Sequence, residues 1–354
     1  KQLKGLIAGD LPAGWDADIP VFPADAKGLA TRTASGKVMN AAASKVLSLI
    51  GGSADLNPST QTVLKGLGDF EDPEFTPADK QGEVGGGWGY GGRNVAFGVR
   101  EHAMGAIVNG IAAHGGTLPY GATFLNFLDY MKPAVRLAAM MELHVVHVFT
   151  HDSVAVGEDG PTHQPIEQLA SLRAMPQAVT LRPGDANETA VAWKVAIEHK
   201  KGPVILVLTR QNLPTLDRTK FASAEGVRKG AYVLQDAPGG KPDLVLIATG
   251  SEVPLAVAAA AKLAEKGKKV RVVSMPSWEL FEEQDEAYRE SVLPKAVKKR
   301  LAIEAASPLG WERWTGSEGA VIGIKRFGAS APGDVVLKNL GFTIDNVVAK
   351  ALEL

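Results

Sequence analysis

Three short runs of branched apolar residues, at 143–149, 178–181 and 204–208, constrain this chain most. None shows the strict apolar–polar alternation of a strand with one wet face. Each therefore reads as a strand buried on both sides, as in a parallel sheet. Helical patterns at about 166–175 and 187–200 lie between them. Upstream, residues 35–48 read as a helix, with Val38, Ala41, Ala42, Val46 and Leu49 at helical spacing, and 47–50 as a short strand ending in Gly51 and Gly52. Residues 57–92 are loop-rich. Then 94–99 reads as a strand, 100–114 as a helix, 117–120 as a strand, and 124–141 as a helix interrupted at Pro133. Strands alternating with helices predict a parallel sheet covered on both faces. The pattern restarts after the polar stretch 217–230, with strands at 244–248, 270–274 and 300–304 and helices at about 252–266 and 335–352. The expected fold is α/β, with two doubly wound domains and mostly parallel sheets at 31–215 and 231–354. Residues 1–30 would form a linker arm and 216–230 a second linker. No internal repeat or heptad is visible.

The length of 354 residues agrees with two domains. With 38 basic and 39 acidic side chains the net charge is −1, which gives no electrostatic footprint for nucleic acid. The longest apolar run, 255–261, is far too short to span a membrane. The absence of cysteine excludes disulfides, a thiolate nucleophile and cysteine-ligated zinc. No Walker A, HExxH or GxSxG motif occurs. Gly87-Trp88-Gly89-Tyr90-Gly91-Gly92 matches GxGxxG in letters only, because a strand should precede it and a helix follow it. A soluble, cytoplasmic globular protein is expected, without nucleic-acid or membrane partners.

Chemistry concentrates in three stretches. Arg100-Glu101-His102 follows an expected strand and opens an expected helix. A carboxylate there is ordinary dipole complementarity, yet strand carboxyl ends are also where open α/β sheets bind ligands. Phe124, Phe127 and Tyr130, spaced i, i+3 and i+6, would share a helix face. The loop 151–163 holds two histidines, three acidic residues and two glycines. It can be read as a His/Asp/His metal site or as a place for hydroxyl and proton handling on a polar substrate. A sparser set is Arg32, Ser59 and Arg210, the last just past a strand, where arginines clamp phosphate.

Several long segments resemble transketolase: Val99-Arg100-Glu101-His102-Ala103-Met104-Gly105-Ala106-Ile107, Pro119-Tyr120-Gly121 and Thr123-Phe124-Leu125-Asn126-Phe127. So do Thr150-His151-Asp152-Ser153, Gly157-Glu158-Asp159-Gly160-Pro161-Thr162-His163-Gln164-Pro165, and Arg210-Gln211-Asn212-Leu213-Pro214. Ala30-Thr31-Arg32 and Gly51-Gly52-Ser53-Ala54-Asp55-Leu56 add to the match, which runs from about residue 20 to the C-terminus. The resemblance implies the pyrimidine-binding and C-terminal domains of a three-domain enzyme. The GDG…N metal–diphosphate motif is absent, since only GDL, GDF, GDA and GDV occur. Together with the start at Lys1, this fits a fragment or one subunit of a split enzyme. One departure is Pro58-Ser59-Thr60-Gln61-Thr62, where many relatives have Ser-Asn-Leu-Thr.

The resemblance further implies thiamine diphosphate as cofactor. Its Mg2+ or Ca2+ ion would have ligands outside this chain, so no metal ligand is expected within it. By resemblance, Glu101 would hydrogen-bond the aminopyrimidine nitrogen and favour the imino tautomer. Phe127, with Phe124 and Tyr130, would wall the ring, and Asp55 would lie near it. His163 would act as acid and base beside the reacting carbons, and Asp159 would read a substrate hydroxyl. Arg32, Arg210, His151 and Ser59 would hold the sugar phosphate. The implied reaction moves a two-carbon glycolaldehyde unit from a ketose phosphate to an aldose phosphate through the cofactor's carbanion. Alternatives are dihydroxyacetone synthase, another thiamine diphosphate enzyme of this build, or a catalytically silent subunit. A homodimer, completed by a diphosphate-binding domain or subunit and inactive without it, is expected. The surface around Glu101, Phe127 and His163 would then be unusually exposed.

Overall fold

The structure, a computed structural model, describes residues 2–75 and 83–354. The first region opens with α1 (Gln2–Ala8), β1 (Asp25–Ala30), α2 (Thr31–Ala43) and β2 (Leu49–Ser53). It continues through α3 (Glu101–His114), β3 (Leu118–Phe124), α4 (Leu128–Met140), β4 (Val146–Thr150) and α5 (Gln168–Arg173). It closes with β5 (Val179–Leu181), α6 (Ala186–Glu198), β6 (Val204–Leu208) and β7 (Asn212–Thr215). Five strands form a parallel sheet in the order β2-β3-β4-β6-β5. Every residue of β3, β4 and β6 is buried, as strands covered on both faces must be. β1 and β7 pair antiparallel in a separate ribbon.

The second region contains β8 (Tyr232–Gln235), β9 (Leu244–Ala248), α7 (Val253–Glu265), β10 (Val270–Ser274), α8 (Trp278–Glu282) and α9 (Glu286–Val292). After these come β11 (Arg300–Ile303), α10 (Glu312–Thr315), β12 (Ala320–Ile322), α11 (Gly333–Asn339) and α12 (Ile344–Glu353). Its sheet order is β12-β11-β9-β10-β8, parallel except for the β10–β8 pair. The α/β fold with mostly parallel sheets is thus present. One hydrophobic core passes between the regions, from Val191 and Trp193 to Val253, Ala256 and Val272. No helix among the described residues is long and apolar enough to cross a membrane.

Several local expectations change. Residues 94–99 form no strand; only isolated bridges tie Asn94 to Gly51 and Asp69, and the Asn94 side chain bonds Leu64 and Gly68 instead. The helix expected from residue 35 is α2, which begins at Thr31 because β1 delivers the chain directly into it. Within residues 1–30, α1 and β1 are ordered elements. Pro133 does not interrupt α4. The bond it removes would end on the carbonyl of Asp129, an exposed residue that water can satisfy. The expected helix over 335–352 is two helices, separated at Gly341, whose φ of 89° suits glycine. The glycines at 85–92 lie in turns, bends and irregular chain, and residues 76–82 of the loop-rich stretch are outside the described set.

Candidate active site

The parallel register of β3, β4 and β6 aligns Phe124 with Thr150 and Thr150 with Leu208. The residues that follow each strand therefore emerge along one carboxyl edge, the usual ligand side of such a sheet. Phe124 ends β3, and Leu125–Phe127 forms one 3-10 turn before α4 begins. The three aromatic residues are therefore not one helix face, as the spacing suggested, yet they still assemble. The Phe124 and Phe127 rings stack with centroids 5.7 Å apart, and Phe127 lies 5.9 Å from Tyr130. Tyr130 is 64% exposed.

The polar loop joins this aromatic group. His151 stacks on Phe124 at 3.6 Å, and His163 meets Phe127 edge-on at 5.4 Å. The side-chain amide of Asn126 donates to the Thr162 carbonyl at 2.6 Å, which fixes the backbone beside His163. His151 is buried and has φ of 61°, rare outside glycine, with its Nδ1 2.9 Å from the Thr150 hydroxyl. Glu101 is the first residue of α3 and is 8% exposed, so it is more enclosed than expected; Phe127 and His163 are half-buried. The Thr123 hydroxyl, at the end of β3, donates to Glu101 Oε1 at 3.3 Å.

A group of like charges faces the loop. Arg32, in the first turn of α2, donates through Nη1 to the Ser59 carbonyl at 2.7 Å, while its buried Nε has no hydrogen-bond partner. Burial and the nearby Arg210 both lower the Arg32 pKa. Burial, reinforced by Arg32, Arg210 and His163, pushes the His151 pKa down to about 3. His151 is therefore neutral near pH 7, and fixed positive charge comes from the two arginines. Among the described residues, no carboxylate forms an ion pair with either of them. No hydrogen bond or ring contact among the described residues ties Asp159 or Asp55 to the aromatic group. Asp159 is exposed on the loop, and Asp55 lines a cavity of about 150 Å³ with Ser53, Asp69 and Asn94. No three His, Cys, Asp or Glu side chains among the described residues converge as metal ligands would. A larger cleft, about 1040 Å³ and lined by Arg173, Lys200, Glu279 and Arg313, contains none of the sequence-predicted site residues.

Sequence reading missed the residue that anchors the loop's start. Arg182, fully buried just past β5, bonds Asp152 at 2.9 Å, Glu252 at 2.5 Å and the Thr249 hydroxyl at 2.9 Å. Burial alone would lower its pKa, but Glu252, Asp152 and Glu304 overrule this and raise it. Burial likewise opposes the charge on Glu304, yet Arg173 and Arg182 hold its pKa at about 2. A strand-end arginine was the available signal, the same one that singled out Arg210.

An open parallel sheet with an aromatic cluster, a buried glutamate and two arginines, which form no ion pair among the described residues, along its carboxyl edge defines an α/β protein of the class that carries its sites at strand ends. Residues 27–215 match the transketolase pyrimidine-binding domain, and residues 230–343 match the transketolase-like C-terminal domain. The chain belongs to the transketolase family. A transketolase of Geobacillus stearothermophilus is 55% identical over 353 residues, covering 100% of this chain and 50% of the relative. A mutant transketolase from Pichia stipitis, described in complex with xylulose 5-phosphate, has a TM-score of 0.89 at 45% identity, covering 99% of this chain and 49% of that one. A split-gene transketolase, described as an inactive β4 tetramer, shares the fold with TM-score 0.70 at 24% identity, covering 92% of this chain and 98% of that one. The chain spans about half the length of the curated relatives it matches.

Proposed function

We propose that this chain supplies the pyrimidine-binding and C-terminal parts of a transketolase, acting between residues 31–215 and 231–354 with a diphosphate-binding domain or subunit. The observation that carries this reading is the shared carboxyl edge: Phe124 stacks on His151, which lies within the field of Arg32 and Arg210, Phe127 meets His163, and Glu101 is bonded by Thr123 next to Phe124. The stacked rings and the adjacent carboxyl group fit the aminopyrimidine part of thiamine diphosphate, where each aromatic pair contributes about 0.5–1.5 kcal/mol beyond burial. When bound, the cofactor supplies two-carbon carrier chemistry, with its Mg2+ or Ca2+ held outside this chain.

Glu101 holds a proton at the pyrimidine nitrogen. Phe127, flanked by Phe124 and Tyr130, orients the ring, and Asp55 borders it. His163 moves protons at the substrate's hydroxyl and carbonyl oxygens. Asp159 accepts a hydrogen bond from a sugar hydroxyl. Arg32 and Arg210 clamp the phosphate, whose charge relieves their mutual repulsion. Neutral His151 and the Ser59 hydroxyl add uncharged hydrogen bonds. Sugar phosphates do not cross membranes unaided, and we place the enzyme in the cytoplasm with them. The exposed Ile107, Leu137 and Met140 on α3 and α4 support a homodimer through this side of the molecule.

Calorimetric titration with thiamine diphosphate and magnesium, followed by a donor–acceptor assay, tests the reading. The chain alone should bind weakly and transfer nothing; adding a matching diphosphate-binding half should restore turnover. In that assembly Glu101→Gln should lower turnover by at least about 100-fold. Micromolar cofactor affinity with glycolaldehyde transfer by the chain alone would overturn the division of labour. Near-parental turnover in Glu101→Gln would remove that residue from the chemistry.

A further inference from the structure

The loop 151–163 carries His151, Asp159 and His163, and much of what holds it lies in the other region of the chain. Gln164, 1% exposed, follows His163 directly. Its Nε2 donates both to the Gly157 carbonyl at 2.8 Å and to the Ala329 carbonyl at 2.9 Å, bridging the loop to the segment before α11. The Ser330 hydroxyl donates to the Glu158 carbonyl. Asp159 therefore sits between a carbonyl held by Ser330 and Gly160, where a Cβ would lie 3.2 Å from the Ser330 Cβ.

Close packing reinforces these bonds. A Cβ added at Gly328 would lie 1.8 Å from Gln164 Oε1, and one at Gly333 would lie 2.6 Å from the Ala155 carbonyl oxygen. Neither glycine has a positive φ, so glycine is required there for space rather than for backbone conformation. Residues 328–333 thus form a strap laid closely against residues 154–160. The bonds within the loop itself are short-range turns, such as Gly160 N to Gly157 O and His163 N to Gly160 O, each 3.0 Å.

We propose that the strap at 328–333 is a positioning element for the substrate loop, with Gln164 as the bridge, and that it sets where Asp159 meets a sugar hydroxyl. This rests on the functional reading above. It gives the second region a part in substrate discrimination although none of its residues was assigned to substrate, cofactor or reacting atoms. Asp159 is positioned through its neighbours' backbone, so loosening the strap should weaken recognition of hydroxylated sugars more than the chemistry itself.

The test compares Gly328→Ala, which must displace Gln164, with Ser330→Ala, an exposed change that leaves the core alone. Both are made in the enzyme assembled with its diphosphate-binding half. Hydrogen exchange at residues 157–163 should accelerate in both variants, while α7 keeps parental protection. KM for a ketose phosphate should rise about tenfold in Gly328→Ala, the scale of one lost hydrogen bond to a charged group. Turnover of hydroxypyruvate, which lacks the sugar's secondary hydroxyls, should stay within about twofold, less than the loss of a single net hydrogen bond. Unchanged exchange and KM in both variants would overturn the inference, as would equal losses on both donors. A parental assembly without transfer activity would instead overturn the functional reading, and the inference with it.

Discussion

Replacing His147 with leucine should make this protein less sensitive to acid. His147 lies in β4 between Gly121 and Ile205 on the neighbouring strands, is fully buried, and has no hydrogen-bond partner on either ring nitrogen. Burial pushes its pKa from 6.5 down to about 4. Between those values the unfolded chain takes up a proton that the folded chain refuses. The stability involved is therefore fully present above about pH 6.5 and lost as pH falls toward 4, below which the loss levels off. At about 1.4 kcal/mol per pH unit the full gap is about 3 kcal/mol, and about 2 kcal/mol of it is reached by pH 5. Leucine is apolar, similar in size and does not titrate, and it removes two unpaired polar atoms, so the variant should be no less stable at pH 7.5. Denaturant unfolding of parent and variant at pH 7.5 and pH 5, followed by circular dichroism, gives the comparison. His151, also depressed, acts equally in both proteins and cancels. The stability difference should move by about 2 kcal/mol in favour of leucine at pH 5. The same pH dependence in both proteins would refute the reasoning.

Arg210→Ala in the assembled enzyme should raise KM for phosphorylated donors by an amount equivalent to about 1.5–3 kcal/mol and affect hydroxypyruvate far less. Equal losses on both donors would assign Arg210 to the fold or the cofactor instead. Arg182→Met should destabilise the chain by about 3–5 kcal/mol, because Asp152 and Glu252 are left buried without their counter-charge. Adding Asp152→Asn and Glu252→Gln should recover most of the lost thermal midpoint; no recovery would mean that Arg182 acts through packing rather than charge.

The sequence by itself determined the layering and nominated the candidate site residues. Strands 204–208 and 244–248 were legible to the residue because a strand covered on both faces must be apolar throughout. Glu101 at the head of a helix and His151 after a buried strand followed from the same alternation, and the family resemblance supplied their proposed roles. Local pattern failed where a long-range contact decides the backbone. Residues 94–99 have the composition of a strand, but their side-chain and backbone bonds go to Gly51, Leu64 and Gly68 in a loop. The aromatic spacing suggested a helix face, while β3 continues to Phe124 because it pairs with β4 as far as Thr150.

Only the tertiary structure decided the electrostatics. Arg32 and Arg210 are 178 positions apart in the chain, and Arg182 meets Asp152 and Glu252 from either side in sequence. The neutrality of His151 arises from burial and from charges on other elements, which no local window contains. The strap against loop 151–163 joins residues about 170 positions apart. Secondary structure follows from the periodicity of neighbouring residues, whereas charge pairing, desolvation and backbone approach depend on distances that exist only once the sheets have packed.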